Sequence, residues 1–478
     1  MKQLPGDTIA AISTALGPGA VALVRLSGEH AMEVADRVFR GARPLAESPT
    51  HTVHHGRVID SDGREVDEVL ATVMRAPHTY TTEHMIELGC HGGSVPARRV
   101  LAACLEAGAR QARRGEFTER AFLGGRMDLV QAEAVADIVS AETPRGLEMA
   151  LGQLEGGLSE RLAALRETLL SARCEIEAAI DFPEDVESAT ALTEFERLCG
   201  EAVAMVDMLL EGCRAGAAVR EGVSVALVGK PNVGKSSLMN ALLMRDRSIV
   251  TTAPGTTRDA IEESLHVDGV PVRLVDTAGW RSTNDEAEMA GVERAKGAAA
   301  GATLVLFVVD ASDAPDGADA AIGAELDADR TIVVANKDDL GRGPRPSDLA
   351  ALVGAVENAA IPGGPADQVA RAERAARVVH VSALSGTGLR ALRAAIAEAA
   401  LGSTHAESVC VSNVRHAEAL RRVGGSLRRA TEMAAKGSPA ELAAAELADA
   451  TAVLGEITGE TTPEAVLQRI FDRFCIGK

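Results

Sequence analysis

A glycine-rich segment with the residue types of a phosphate-binding loop occupies residues 229–236, Gly-Lys-Pro-Asn-Val-Gly-Lys-Ser. The apolar run 223–228 precedes it and the helix-like segment 237–243 follows it, which predicts the order strand, turn, helix. Glycines at these positions let successive backbone N–H groups turn toward an anion. Lys235 would then reach the outer phosphates of a nucleotide, and Ser236 would hold Mg²⁺ against them.

Two further segments predict the metal and γ-phosphate contacts of a nucleotide site. Asp276-Thr277-Ala278-Gly279 ends a strand, so Asp276 would hold the metal through water and the Gly279 N–H would meet the γ-phosphate. The loop 251–259 lies where a switch is expected, and Thr257 would complete the Mg²⁺ shell.

Two later segments predict recognition of guanine. Asp339, in the segment 336–339, can accept both N1–H and N2–H of guanine, which favours GTP over ATP. The segment 382–384 ends the last strand, where a backbone N–H would meet the guanine O6. The predicted GTP contacts are Asn232, Val233, Gly234, Lys235, Ser236, Ser237, Thr251, Thr252, Ala253, Pro254, Gly255, Thr256, Thr257, Asp276, Thr277, Ala278, Gly279, Asn336, Lys337, Asp339, Ser382, Ala383 and Leu384.

The residue after Asp-Thr-Ala-Gly is Trp280, where Ras-type GTPases carry a glutamine that orients the attacking water. Indole cannot orient water in that way, so a different arrangement is required. Asn232 offers a side-chain oxygen toward the phosphates, and a monovalent cation held there would neutralise developing charge as an arginine finger does. Glu288 could orient the water; alternatively, it is an ordinary helix carboxylate exposed to solvent.

The bulk composition describes a folded, acidic, multidomain chain. Its 478 residues predict two to four domains, and 46% hydrophobic residues exclude a mainly disordered chain. The net charge of −20 excludes a surface that attracts nucleic acid as a whole, so any RNA contact requires a local basic patch or a partner. No Cys-x-x-Cys pair, signal peptide or membrane span is found in the sequence, which makes the cytoplasm the expected compartment.

The order of strand and helix patterns predicts a multidomain α/β fold: an α+β N-terminal domain, a split helical bundle and an inserted P-loop G domain with a mainly parallel sheet. Helical segments on both sides of the α/β block favour one bundle with an insertion over two separate helical caps. Ser438-Pro439-Ala440-Glu441 predicts a capping box with proline at the first helical position. The expected domains are 1–122, 123–217, 218–400 and 401–478.

The composition of the N-terminal region does not identify a ligand for it. Arg25 and Glu87 stand out as charges at strand positions, although composition alone favours ordinary surface residues. The segment His91-Gly92-Gly93 is either a loop of close backbone approach or a tight turn.

Ten segments together resemble the MnmE (TrmE) family of tRNA-modification GTPases over essentially the whole chain. They are VALVRLSG at 21–28, YTTEHMIELGCHGG at 80–93, GEFTERAF at 115–122, DLVQAEAVADI at 128–138, IDFPEDV at 180–186, GKPNVGKSSLMN at 229–240, TTAPGTTRD at 251–259, DTAGW at 276–280, ITGE at 457–460 and FCIGK at 474–478.

The resemblance implies a homodimer whose N-terminal domain binds folate and mediates dimerisation. It implies a heterotetramer with an MnmG (GidA)-type protein that carries FAD, with tRNA as the substrate and no membrane contact. The implied reaction adds an aminomethyl or carboxymethylaminomethyl group to C5 of the wobble uridine, position 34, of certain tRNAs. A one-carbon tetrahydrofolate supplies the methylene carbon, and glycine and ammonia both remain open as nitrogen donor. Potassium promotes closure of the paired G domains and GTP hydrolysis.

The resemblance also assigns site residues, and it replaces the surface interpretation of Arg25 and Glu87 and the solvent interpretation of Glu288. Two departures from the common family sequence are Arg126, where many members carry lysine, and Ala253-Pro254, which would stiffen the potassium loop. The implied sites are K⁺ at Asn232, Thr251, Ala253 and Thr256; Mg²⁺ at Ser236 and Thr257; water positioning at Glu288; and folate at Arg25, Glu87, Arg126 and Lys478.

Cys475 lies in the terminal Cys-Ile-Gly-Lys, which resembles the functional tail of the family. A thiolate there would be a nucleophile activated by a nearby lysine; alternatively, Cys475 is a small buried residue that closes the bundle. Two rival functions stay open at this point. The chain would be a regulatory switch without chemistry on RNA, or a folate-transfer protein in which GTP only modulates activity.

Overall fold

The computed structural model describes residues 6–181, 186–244, 262–276, 297, 299–341, 344–353, 377–402 and 411–478. The chain forms two compact units. The first unit comprises residues 1–140, 150–206 and 418–478, and the second comprises residues 141–149 and 207–417. No helix in the described ranges is long and apolar enough to cross a membrane.

A seven-stranded sheet with the order β3-β4-β5-β6-β2-β1-β7 forms the N-terminal part of the first unit. Neighbouring strands are antiparallel except for the parallel pair β1–β7. The predicted α+β character of this domain is confirmed, and three of its strands are segments of only two to four residues, which carry little periodicity in the sequence. The strands are β1 Ile9–Ile12, β2 Val21–Ser27, β3 Phe39–Gly41, β4 Thr52–Ile59, β5 Glu65–Met74, β6 Met85–His91 and β7 Arg110–Gln111.

Side chains alternate between the two faces of this sheet, since successive strand residues point to opposite sides. Val24, Leu26, Ile86 and Leu88 lie on one face, in a core that also contains residues of helices α1 Ala31–Val38 and α2 Ser94–Glu106. Their strand neighbours point to the other face. The β2–β6 register pairs Arg25 directly with Glu87 there.

Helices from both ends of the chain pack in the first unit. The helix Gly157–Asp181 packs against Ala440–Thr458, so segments on either side of the inserted region form one bundle, as predicted. The helix Gly157–Asp181 is α6; the other helices that lie wholly or partly in this unit include α3 Glu116–Leu123, α4 Leu129–Ser140, α5 Pro144–Leu154, α7 Val186–Glu211, Val414–Ala435 and Glu464–Phe471.

The expected capping box at residue 438 is wrong. The helix begins at Ala440, and Pro439 occupies the N-cap position with ψ of 131°, without a side-chain capping hydrogen bond. Because Pro439 is extended rather than helical, Ser438 lies one residue too early for its hydroxyl to reach the N–H groups of the first turn.

The second unit contains a six-stranded sheet with the order β13-β12-β11-β8-β10-β9. All pairs are parallel except the edge hairpin β9–β10. The hairpin turns at Asp268-Gly269, with φ of 49° and 83°, as two-residue turns of this type require. The mainly parallel sheet with one antiparallel edge is confirmed. The strands are β8 Val223–Val228, β9 Glu262–Val267, β10 Val270–Asp276, β11 Leu304–Asp310, β12 Thr331–Asn336 and β13 Arg377–His380.

The helices described in the second unit flank this parallel sheet. Apolar side chains of the helix Leu389–Leu401, among them Leu392 and Ile396, join strand residues in one core. The other helices are Cys213–Glu221, Lys235–Met244, Gly317–Gly323 and Pro346–Ala350.

Candidate functional sites

The phosphate loop connects β8 to the helix Lys235–Met244, as its sequence predicts. Gly229 has φ of 147°, and a Cβ atom there would lie 2.2 Å from the carbonyl oxygen of Val308. Gly234 has φ of 96°, and its Cβ would lie 2.3 Å from Nδ2 of Asn336. Both positions therefore require glycine, and the loop keeps the narrow backbone cradle that an anion needs.

Lys235 is the first residue of the helix that follows the loop, and its side chain is largely buried. Its Nζ donates hydrogen bonds to the carbonyl oxygens of Gly229 and Lys230, both at 2.7 Å. The ammonium group is thus held inside the turn, next to the backbone that would surround a phosphate. Ser236 follows in the first helical turn, where a hydroxyl ligand for Mg²⁺ is expected.

Asn336 joins the phosphate loop to the predicted base-binding segments. It ends β12 and is only 2% exposed. Its Nδ2 donates to the carbonyl of Val233 at 2.8 Å, and its Oδ1 accepts from the N–H of Ala383 at 3.1 Å. One buried amide therefore brings together three segments that lie far apart in the sequence.

The predicted base-binding residues lie at the ends of β12 and β13. Lys337 has φ of 68°, and its Nζ lies 2.6 Å from Oδ2 of Asp310. Burial would raise the pKa of Asp310, but hydrogen bonds from Lys337 and Ser312 outweigh it and lower the pKa. Asp339 is exposed, Ser382 is buried and Leu384 is 91% exposed. The exposed carboxylate of Asp339 is free to meet the donor edge of a base.

Several predicted site residues lie outside the described residues. They are Thr251, Thr252, Ala253, Pro254, Gly255, Thr256, Thr257, Thr277, Ala278, Gly279 and Glu288. Asp276 is the last residue of β10, which is the strand end that the sequence predicts for it.

A second cluster lies on the sheet of the first unit, around Arg25 and Glu87. Nε and Nη2 of Arg25 both lie 2.8 Å from Oε1 of Glu87. The two side chains are 18% and 21% exposed, so the pair is mostly covered. The expectation of two ordinary surface residues, which composition alone favoured, is wrong.

Aromatic rings cover this ion pair. Cζ of Arg25 lies 5.6 Å from the ring centroids of both Tyr80 and Phe117. Cζ of Arg126 lies 5.0 Å from the centroid of Tyr80, so both arginines that the resemblance assigns to folate contact one ring. Contacts of this length are within range of cation–π attraction.

The C-terminal tail completes the same cluster. Nη1 of Arg25 donates to the carbonyl of Gly477 at 3.4 Å, and the carbonyl of Lys478 accepts from the N–H of Phe117 at 3.3 Å. Ser13 Oγ also donates to the Gly477 carbonyl, at 3.1 Å. Tertiary structure therefore brings Arg25, Glu87 and Arg126 together around Tyr80 and Phe117, and the backbone of Gly477 and Lys478 reaches them from the other end of the chain.

Cys475 lies on the exposed side of this tail. Its carbonyl accepts from the N–H of Gly115 at 3.4 Å, and Arg114 holds the carbonyl of Phe474 at 2.9 Å. The alternative that Cys475 is a buried residue closing the bundle is wrong, because Phe474 takes the buried position instead.

A buried charge network supports the cluster from the helix α3. Arg120 is fully buried; its Nη1 lies 3.1 Å from Oε1 of Glu83, and its Nη2 lies 3.2 Å from Oε1 of Glu116 and 2.7 Å from Oδ1 of Asp7. Burial would raise the pKa of Glu116, but hydrogen bonds from Arg110 and the Arg113 N–H, with the charges of Arg110 and Arg120, lower it. This network fixes α3 against the sheet.

Sequence reasoning missed Tyr80, Phe117, Glu116 and Arg120 as parts of this region. All four lie inside the segments 80–93 and 115–122, which carried the family resemblance. The signal was therefore present, but only the fold shows that the two segments meet.

Comparisons with known proteins cover the whole chain. The model of the MnmE helical domain matches residues 129–475, and the model of the GTP-binding protein TrmE N-terminus matches residues 8–126. The tRNA modification GTPase MnmE of Chloroflexus aurantiacus is 46% identical over 477 residues, which is 99% of this chain and 100% of the relative.

Two further relatives carry the same name. The protein of Symbiobacterium thermophilum is 45% identical over 475 residues, and that of Bacillus cereus strain ATCC 14579 is 41% identical over 477 residues. Each alignment covers 99% of both chains. With the phosphate loop, the N-terminal sheet and the split helical bundle all present, the chain belongs to the MnmE (TrmE) family of tRNA modification GTPases.

Proposed function

We propose that this chain is a potassium-stimulated GTPase that modifies the wobble uridine of certain tRNAs together with an FAD-dependent partner. The product would carry an aminomethyl or carboxymethylaminomethyl group at C5 of the uridine at position 34, with a one-carbon tetrahydrofolate as the carbon source. The observation that carries the proposal is that one chain holds a phosphate loop in one unit and an Arg25–Glu87 cluster, completed by the C-terminal tail, in the other.

GTP would be held by the loop 229–236, with Asp339 recognising guanine. The loop fits a phosphate chain for two reasons. Gly229 and Gly234 let its backbone curve so that N–H groups face one concave surface, and the buried Lys235 adds a positive charge beside it. Mg²⁺ fits the hydroxyl ligands Ser236 and Thr257, since hard cations prefer oxygen. This ion would neutralise charge on the phosphates.

Potassium would be held by Asn232, the carbonyls of Thr251 and Ala253, and Thr256. Asn232 fits this role because it lies in the phosphate loop, with φ of 64°, and is an exposed residue whose side chain carries an oxygen ligand. The ion would supply the positive charge that an arginine finger supplies elsewhere, and Glu288 would position the attacking water.

The test compares GTP hydrolysis in KCl and NaCl at equal ionic strength. We expect faster hydrolysis in KCl, whereas equal rates would refute the cation assignment. Asn232→Ala should remove the difference between the two salts, because it removes the oxygen ligand in the described part of the loop.

The folate would occupy the cluster around Arg25, Glu87, Arg126 and Lys478. Oε1 of Glu87 takes both contacts from Arg25, the hydrogen bond from Nε and the ion pair with Nη2, so that Oε2 is left to accept from a ligand N–H, as far as the described residues go. Arg126 carries a charge that would meet a ligand carboxylate. We expect Arg25→Ala to abolish folate binding, because it removes one cation and releases the Glu87 carboxylate.

The chain would act as a cytoplasmic homodimer that assembles with an MnmG-type protein, and the domains would be 1–122, 123–217, 218–400 and 401–478. Cys475 would be exposed for chemistry beside the folate region. The deciding experiment is nucleoside analysis of tRNA from a deletion strain by mass spectrometry. Loss of the modified wobble uridine supports the proposal; intact modification would favour a regulatory switch.

A further inference from the structure

Tyr80 is the only tyrosine in the chain, and the function proposed above gives it no role. Its ring centroid lies 5.6 Å from Cζ of Arg25 and 5.0 Å from Cζ of Arg126. Its hydroxyl forms a hydrogen bond of 2.9 Å with the hydroxyl of Thr118 on the helix α3. Tyr80 is therefore fixed at one end and contacts two cations with its ring.

The two arginines differ in what else holds them. Arg25 donates one hydrogen bond from Nε to Glu87 and forms an ion pair with it through Nη2. It also donates to the carbonyl of Gly477 and lies over the ring of Phe117. Three groups therefore fix Arg25 apart from Tyr80 and its strand. Loss of the Tyr80 ring would leave Arg25 in place.

Arg126 has much weaker support. It follows Gly125, whose φ is 73°, in the short connection between α3 and α4, and its backbone N–H donates to the carbonyl of Ala121 at 3.0 Å, so the weak support concerns its side chain. Its Nη1 donates to the carbonyl of Thr79 at 3.2 Å. In the described part of the chain no carboxylate pairs with this guanidinium, so the ring of Tyr80 is its main support.

We propose that Tyr80 is a positioning residue that holds the guanidinium of Arg126 for a carboxylate of the folate. The inference deepens the folate site and rests on the function proposed above. A cation on an aromatic face keeps its N–H edge open, so Arg126 can still donate two parallel hydrogen bonds to a carboxylate. The ring would fix where this charge sits before the ligand arrives.

The test is calorimetric binding of 5-formyltetrahydrofolate to the full chain. We expect Tyr80→Leu to weaken binding about tenfold, because it removes the aromatic face. Tyr80→Phe keeps that face and should bind within about twofold of wild type. Phe122→Leu is the matched control, since the Phe122 ring packs on Phe471 at 6.3 Å between centroids, and its binding should not change.

A double-mutant cycle separates positioning from simple packing. If Tyr80 acts through Arg126, adding Tyr80→Leu to Arg126→Gln should cause almost no further loss. An equal loss in both backgrounds, or unchanged binding by Tyr80→Leu, would overturn the inference. If wild type does not bind the probe at all, the folate function fails and the role of Tyr80 fails with it; this outcome is distinct from a loss confined to the variants.

A second measurement does not require Tyr80→Leu to fold. Because the chain has one tyrosine, its tyrosinate absorbance reports Tyr80 alone. Burial raises the pKa of Tyr80, while the hydrogen bond from Thr118 and the charges of Arg25 and Arg126 lower it. Arg126→Gln should therefore raise this pKa further. An unchanged titration would show that the guanidinium does not sit at the ring in solution and would overturn the inference.

Discussion

In the nucleotide site, the phosphate loop is one continuous segment whose Gly229 and Gly234 have φ of 147° and 96° and pack against Val308 of β11 and Asn336 of β12. In the N-terminal site, by contrast, Arg25 binds Glu87 across 62 residues and the Gly477 carbonyl across 452 residues. The first site is set mainly by backbone conformation, and the second is set by contacts between side chains and a distant tail.

This difference predicts which kind of substitution should disrupt each site. A cradle made of backbone fails when one residue cannot adopt the required φ. A site assembled from distant segments fails when the charges that hold those segments together are removed. The single tyrosine of the chain, Tyr80, lies in the first unit, so its spectrum reports that unit.

The largest effect is expected from Arg120→Met in the first unit. It leaves the buried carboxylates of Glu83 and Glu116 without this charge partner, which should lower the free energy of unfolding by about 3–5 kcal/mol. Denaturation followed by the near-ultraviolet signal of tyrosine measures it. Arg57→Met is the control, because Arg57 and its partner Glu65 are both exposed and a surface ion pair of this kind adds little stability. Equal losses of stability from the two substitutions would break the comparison.

Gly234→Ala should weaken GTP binding by about 2–4 kcal/mol, or roughly thirtyfold or more. Alanine is strained at φ of 96°, and its Cβ would displace the buried amide of Asn336. Equilibrium binding of a fluorescent GTP analogue measures the change. Gly200→Ala serves as the control, because a Cβ added at Gly200 would have no heavy atom within 4 Å other than its chain neighbours and the backbone of its own helix. Unchanged affinity would mean that backbone conformation does not set this site.

Glu116→Gln should lower the stability of the first unit at neutral pH by about 2 kcal/mol, because it weakens hydrogen bonds with charged groups. The pKa of Glu116 is lower in the folded state than its ordinary value of 4.5. Its stabilisation is therefore full above that value and is lost as the pH falls through the lowered pKa. The free energy of unfolding, measured by denaturation with the tyrosine signal at a series of acidic pH values, should depend less steeply on pH in the variant than in wild type.

Glu119→Gln is the matched comparison on the same helix. Burial raises the pKa of Glu119, so its ionised form is disfavoured by folding and its contribution has the opposite sign. We expect this variant to be at least as stable as wild type at neutral pH. If Glu116→Gln and Glu119→Gln lower the free energy of unfolding equally, the loss comes from the amide itself and not from the charge partners of each carboxylate.

The smallest effect is expected from Lys230→Gln in the phosphate loop. Nζ of Lys230 lies 2.8 Å from both Asp316 Oδ2 and Asp319 Oδ2. These contacts connect the phosphate loop to the start of the helix Gly317–Gly323. Because the glycines already fix the backbone, the KM for GTP should rise only about twofold. A rise as large as that expected for Gly234→Ala would show that distant side chains also hold this site.

Sequence reasoning succeeded where structure is local. The loop 229–236, the strands of the second unit and the hairpin at Asp268-Gly269 each depend on periodicity or on φ preferences within a few residues. The short strand β7 and the start of the helix at Ala440 were not foreseen, because pairing with β1 and an extended Pro439 decided them.

The sequence by itself determined the nucleotide class, the order of the elements and the family to which the chain belongs. Only the tertiary structure decided that Arg25 and Arg126 both contact the ring of Tyr80, that the C-terminal tail contacts Arg25 and that Arg120 holds α3 in place. The physical reason is that backbone conformation is encoded by neighbouring residues, whereas the β2–β6 register and the docking of the tail depend on the packing of the whole unit.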